Sequence, residues 1–181
     1  MTTMPAGPLV REHRLIEELV ADVEARLSSP SPRRPIDPAY VDVVVDFFAT
    51  FADRCHHGKE EDILFHDLAT KTMEPAHKKL MSELIQEHEW ARNTVRRLRA
   101  ANVSVAVGNT ESMRDVQHLL RDLVAFYPGH IRKEEREFFR DAMAYLSDEE
   151  KDAMIRRFTE LDATLIHEKY RLVVQGIGAT T

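Results

Sequence analysis

A chain of 181 residues, 43% apolar and 31% charged, holds enough material for one soluble domain with a sizeable core. Its net charge of −6 argues against a nucleic-acid partner, and no apolar run reaches the ~20 residues that span a bilayer. The single cysteine, Cys55, excludes an internal disulfide and fits a reducing, cytoplasmic setting.

The N-terminal MTTMPAGPLVREH has no apolar h-region, so no signal peptide is expected. Five helices are predicted after it. The first covers about Leu9–Leu27, with Val10, His13, Ile16, Val20, Val23 and Leu27 as a stripe at 3/4 spacing. SSPSPRRPIDP (28–38) is too proline-rich to be helical and reads as a connector. The second helix begins at Pro38 behind Asp37 as N-cap and runs to about Leu68. The third runs from Pro75 to about Ala101 with a seam of Leu80, Leu84, His88, Ala91, Val95 and Leu98. VSVAVGN (103–109) reads as a loop. The fourth helix covers about Thr110–Leu146, capped by Thr110 and kinked at Pro128-Gly129. Ser147-Asp148 opens a fifth, about Asp148–Val174. Long helices joined by modest loops predict an all-α, up-down-up-down four-helix bundle over about 9–146, with an additional C-terminal helix, all in one domain. Gly58 and Gly129, each beside a histidine of interest, suggest close helix approach.

The chemistry concentrates in two stretches, HHGKEEDILF (56–65) and GHIRKEEREFF (129–139). His57 and Glu61 stand four apart, as do His130 and Glu134, and residues at that spacing lie one above the other on a helix. His13 and His88 occupy seam positions that apolar residues hold elsewhere, and the two halves repeat at nearly the same lag. Four imidazoles and two carboxylates meeting in a bundle core would cost ~1–3 kcal/mol for each group left unsatisfied. A pair of cations removes that cost. Each metal would take two histidines, with Glu61 and Glu134 shared. Nitrogen and oxygen donors without thiolate suit iron or manganese better than a closed zinc site. Six protein groups leave coordination positions open, and the residual positive charge favours an anionic exogenous ligand. The Glu-x-x-His of ferritin-type di-iron bundles occurs only as Glu74-Pro-Ala-His77 at a helix start and is rejected.

At HHGKEEDILF, QEHEWAR and HIRKEEREFF the sequence resembles the hemerythrin-like, or HHE cation-binding, family. The resemblance spans about residues 9–146. It implies a di-iron centre, with an oxo or hydroxo bridge, ligated by His13, His57, Glu61, His88, His130 and Glu134, the two glutamates bridging. Oxygen carriers of the family have a further histidine one turn after the third-helix ligand, where this chain has Arg92. Their last carboxylate is an Asp at i+5, where this chain has Glu134 at i+4. The four-His, two-Glu set is closer to the di-iron domain of repair-of-iron-centres proteins, whose cysteine-containing N-terminal domain is not among these residues. These departures argue against reversible oxygen carriage and for chemistry with peroxide, nitric oxide or dioxygen, or release of iron.

Tyr127 and His167 are further candidates, as a neighbour of the ligands and as an additional ligand; core packing and a surface position are their bland alternatives. His56, His66, His77 and His118 read as surface residues, and Cys55 as a small buried hydrophobe. Three functions follow: a carrier or sensor of dioxygen or nitric oxide, an enzyme consuming peroxide or nitric oxide, and, last, a metal-free structural bundle. The expected partner is a small diatomic or peroxide, with no nucleic acid and no membrane; a protein partner is left open.

Overall fold

The computed structural model describes residues 4–163, 169–171 and 174–175, and among them it is helical without a strand. Helix α1 is Ala6–Ser28. Helix α2, residues 38–69, starts behind Asp37, whose carboxylate accepts the backbone N–H of Tyr40 at 2.8 Å while Pro38 fills the first turn. It is α-helical over Pro38–Asp46, π-helical over Phe47–His57 and again over Glu60–Phe65, and α-helical over His66–Ala69. Helix α3 is Pro75–Ala106. Helix α4, residues 113–142, follows a 3-10 turn at Thr110–Ser112 and passes through Pro128 as α-helix; it widens to π at Glu134–Phe138. Helix α5, Asp148–Asp162, is opened by a capping box in which Ser147 Oγ accepts Glu150 N–H and Glu150 accepts Ser147 N–H.

The apolar residues fall into two clusters, and the chain passes between them four times in alternating directions. Helix α1 leaves the first cluster at Leu9 and enters the second at Ile16; α2 leaves the second at Ala52 and re-enters the first at Ile63. Helix α3 runs from Leu84 in the first to Val95 in the second, and α4 returns from Tyr127 and Ile131 to Phe138. That alternation is the antiparallel four-helix bundle. Helix α5 covers the first cluster with Met154 and Phe158, and Tyr170 and Val174 join the second. On each rod the residues between the clusters are the polar ones, and they are buried: His13, His56, His57, Glu60, His88, His130 and Glu134. The bundle is two oily ends with a polar layer between.

Several local expectations differ from the structure. VSVAVGN is not a loop over most of its length. Helix α3 continues to Ala106, because Asn102 is buried and donates to Pro38 O and Asp42 Oδ1, while Val105 packs on the second cluster. The turn comes at Gly108, whose φ of +101° suits glycine. Thr110 lies within the 3-10 turn and makes no cap. Neither glycine beside the histidines is demanded by a close approach. A Cβ on Gly58 would sit in ordinary contact with Leu161 at 3.8 Å, and one on Gly129 would meet nothing within 4 Å.

Candidate metal centre

Five buried histidines each turn one ring nitrogen outward to a carboxylate. His13 Nδ1 donates to Glu135 at 2.9 Å, His56 Nδ1 to Glu12 at 2.9 Å, and His57 Nδ1 to Asp53 at 3.4 Å. His88 Nδ1 donates to Glu61 at 2.7 Å and His130 Nδ1 to Glu87 at 2.8 Å. An ionised carboxylate only accepts, so each of these bonds places a proton on Nδ1 and turns Nε2 towards the bundle interior. A cation backs every one of these carboxylates: Arg14 on Glu135, Lys59 on Glu12, Arg92 on both Asp53 and Glu61, and Lys133 on Glu87. For Glu61 and Glu87, burial pushes the pKa up, but hydrogen bonds from His88 and from His130 with Lys133 bring both below the ordinary range.

The five Nε2 atoms and two glutamates meet in the polar layer. His57, His88 and His130 form one group, and His13, His56, Glu60 and Glu134 another, with donor atoms within 4.8 Å of one another in each. The two carboxylates join the groups. Glu134 puts Oε2 3.1 Å from His13 Nε2 and Oε1 3.3 and 3.2 Å from the Nε2 atoms of His88 and His130. Glu60 puts Oε1 3.5 Å from His56 Nε2 and Oε2 3.4 Å from His88 Nε2. The rings are close-packed as well, His57 stacking on His88 at 3.9 Å.

Two carboxylates and five imidazoles here fall short of satisfying one another. His13 Nε2, His57 Nε2, His130 Nε2, both oxygens of Glu60 and Glu134 Oε2 are buried without a hydrogen-bond partner. Each such atom costs ~1–3 kcal/mol in an apolar surround, and native interiors carry few. Their protonation is correspondingly displaced. Burial, with the charge of Glu134 added, holds Glu60 well above the usual carboxylate range. Glu134 lies well below it: burial acts upward but is outweighed by the charge of His130 and by the close imidazole nitrogens of His13, His130 and His88. Burial lowers His56 to about 4 and, with the neighbouring imidazoles, holds His57 well below its ordinary value. His130 goes the other way; Glu134 and Glu87 overcome burial and raise it to about 9. Imidazole nitrogens and carboxylate oxygens converging with too few hydrogen bonds to satisfy them all are a donor set for cations that displace whatever protons they carry, so the residues fit a metal.

The hemerythrin HHE cation-binding domain matches this chain over residues 5–142. The chain belongs to that family. No curated protein and no solved structure matches it. The hemerythrin-like match covers α1 to α4, the four rods that carry the donors, and a metal-binding function follows from family and donor set together.

Within this hemerythrin-like domain, the structure brings His13, His57, His88, His130 and Glu134 of the sequence-derived set into the two groups. It places Glu61 outside them. That carboxylate faces His88 Nδ1 and Arg92, and its place between the groups is taken by Glu60. His56, expected at the surface, is buried among the donors. The doublets HH and EE hide a choice of line. Ala52, His56, Glu60 and Leu64 continue an apolar row four residues apart, whereas Asp53, His57 and Glu61 continue a polar one. The row, had it been followed, gives His56 and Glu60. Both histidines are buried where α2 is wound as π-helix, with more residues to the turn than in an α-helix. His57 adds a third imidazole to His88 and His130. Tyr127 is buried beside His130, with rings 6.4 Å apart, and His167 lies outside the described residues.

Proposed function

We propose that the polar layer holds two iron ions, one by His57, His88 and His130 and the other by His13 and His56, with Glu60 and Glu134 shared. The function supported best is binding or processing of a small molecule, dioxygen, nitric oxide or peroxide, at that pair. One observation carries the reading: each of two fully buried glutamates reaches both histidine groups, one oxygen to each, with no other partner for most of those oxygens. Bound iron would supply redox electrons and, since seven side chains do not fill two six-coordinate ions, open positions for the small molecule. The chain's own part is to prepare the donors. The five Nδ1–carboxylate bonds pre-orient the imidazoles and raise their basicity, and the surrounding cations pair with those carboxylates. Leu9, Phe65 and Phe138 on one side and Ala52, Ile131 and Tyr127 on the other exclude water from the layer.

Metal analysis of protein purified without added metal tests this. Two ions per chain, mostly iron, with near-ultraviolet charge-transfer absorption, are expected; a colourless protein with less than one metal per chain overturns it. Turnover of hydrogen peroxide or nitric oxide by the iron-loaded protein then separates an enzyme from a carrier or sensor.

A further inference from the structure

Beside the three-histidine group lies a pocket of about 180 Å³ that the metal reading does not use. Its walls include Asp53, His57, Tyr127 and three arginines, Arg92, Arg96 and Arg99. At ~30 Å³ per water the space suits an ion or molecule of a few heavy atoms, well below the size of an organic metabolite pocket.

The charges of the lining are not balanced. Arg92 is committed to Asp53 and Glu61. Arg96 and Arg99 make no ion pair with any described residue, and Asp53 is the pocket's one carboxylate among its described lining residues. The pocket is therefore positive in a chain whose net charge is −6. The three arginines stand at i, i+4 and i+7 on α3, one face of the helix, where like charges repel at a cost to the helix. Arg96 and Arg99, exposed at the pocket and without a described carboxylate to pair them, can take an anion. Guanidinium groups are planar, permanently charged and matched to the oxygens of an oxyanion.

Tyr127 points to the same ligand independently. It is almost completely buried, its ring stacked on Phe48 at 4.9 Å, and it makes no hydrogen bond to any described residue. It lines the pocket, and its ring lies 6.4 Å from that of His130, on the side of the metal layer. A phenol that lines a cationic pocket and bonds to no described residue can donate to a ligand there.

We infer that this pocket is a binding site for a small oxyanion, held by Arg96 and Arg99 at its mouth, with Arg92 beside them, and by the Tyr127 hydroxyl within. The inference extends the proposed function by naming the charge of a molecule brought to the metal layer, and to that extent rests on it. The occupied pocket would also speak to the metals. Arg92 ties together Asp53 and Glu61, the carboxylates that orient His57 and His88, and an anion competing for its guanidinium loosens both.

Calorimetric titration of the full-length, metal-loaded protein with sodium nitrate, sodium formate and inorganic phosphate, against sodium chloride at equal ionic strength, tests the site. At least one of the three should bind one-to-one with a dissociation constant at or below about 1 mM. The double variant Arg96→Gln/Arg99→Gln should weaken it at least tenfold, and Tyr127→Phe should weaken it too, while Arg97→Gln, on a different face, should leave it unchanged. No binding by the parent protein, equal binding by the double variant, or equal weakening by Arg97→Gln each overturns the inference. Metal content is measured on the same samples. A content below one metal per chain sinks the di-iron reading, and anion binding by those same samples leaves the oxyanion site standing.

Discussion

Glu60 has neither exposed surface nor a hydrogen-bond partner for either oxygen, while its neighbour Glu61 passes Oε1 to His88 and Arg92. The two side chains are chemically identical, so substituting each in turn separates the roles. Glu60→Gln should lose at least one ion per chain after dialysis, because an amide at that point is a poor bridge between cations. Glu61→Gln should keep both ions and bind them about 10–100-fold more weakly, since it disturbs only the orientation of His88. Metal analysis and competition with a chelator of known affinity read out the difference. The reverse result would restore Glu61 as the shared carboxylate. Much of this site is legible in the sequence. His13 and His88 interrupt apolar seams, and His130 with Glu134 repeats a ligand spacing. The pairs His56/Glu60 and His57/Glu61 are not told apart by spacing, since both stand four residues apart. What separates them is the rotation of α2 about its axis, which the apolar row Ala52–Leu64 encodes and the π winding adjusts. The carboxylates behind the histidines are harder to see. Glu12, Glu87 and Glu135 sit next to donors in the chain and read as ordinary surface charge until the rings are placed.

Among the elements, α1 to α4 follow from seams and caps, and their ends differ from expectation by a few residues. The exceptions have local causes, as when Asn102 finds partners on α2 and carries α3 past its expected end. Helix α5 belongs to the site more closely than its sequence suggests. Its last residue, Asp162, pairs with Lys59, which is completely buried on α2 and also pairs with Glu12, the carboxylate that orients His56. The charge chain Asp162–Lys59–Glu12–His56 thus ties α5 and α2 to α1 and to a candidate ligand. Burial acts against the lysine's charge, but Glu12 and Asp162 raise its pKa above the ordinary value, so it stays ionised. Lys59→Met keeps the bulk and removes the charge, taking from Glu12 and Asp162 the ammonium they share. Breaking a buried pair from one side costs about 3–5 kcal/mol, and urea unfolding should show a loss of that order. Ser147→Ala, which removes only the cap of α5, should cost about 1 kcal/mol and leave the metal content unchanged. A Lys59→Met variant as stable as the parent would mean that the chain of charges adds nothing to the packing of α5.

The whole molecule is a stack in which two apolar clusters enclose a layer of buried ionisable groups, and only cations complete that layer. Without them, protons take part of their place. Glu60 holds a proton because burial and the charge of Glu134 raise its pKa, and His130 is raised to about 9 and is protonated at neutral pH. Both must lose those protons to become donors, so metal uptake releases them. The sign follows directly. As pH falls below about 9, more protein carries the His130 proton that a metal must displace, and affinity drops; as pH rises towards 9, it climbs, and above that His130 contributes no further gain. His56, held at about 4, and His57, also held low, are already neutral across that range and add no slope until the solution is acid. Titrating chelator-treated protein with ferrous ion under anaerobic conditions, in two buffers of different ionisation heat, counts the protons released. More than one proton per chain near pH 7, and an apparent affinity that rises from pH 6 to 8, are expected. Stability moves with it, because ions that bind the folded layer and not the open chain raise the unfolding midpoint as their concentration rises. Chelation should lower the midpoint by several degrees, and more at pH 8 than at pH 6. A midpoint unaffected by chelation at either pH would mean that the polar layer stands without cations, and would leave five histidines and two glutamates in the core with no physical reason to be there.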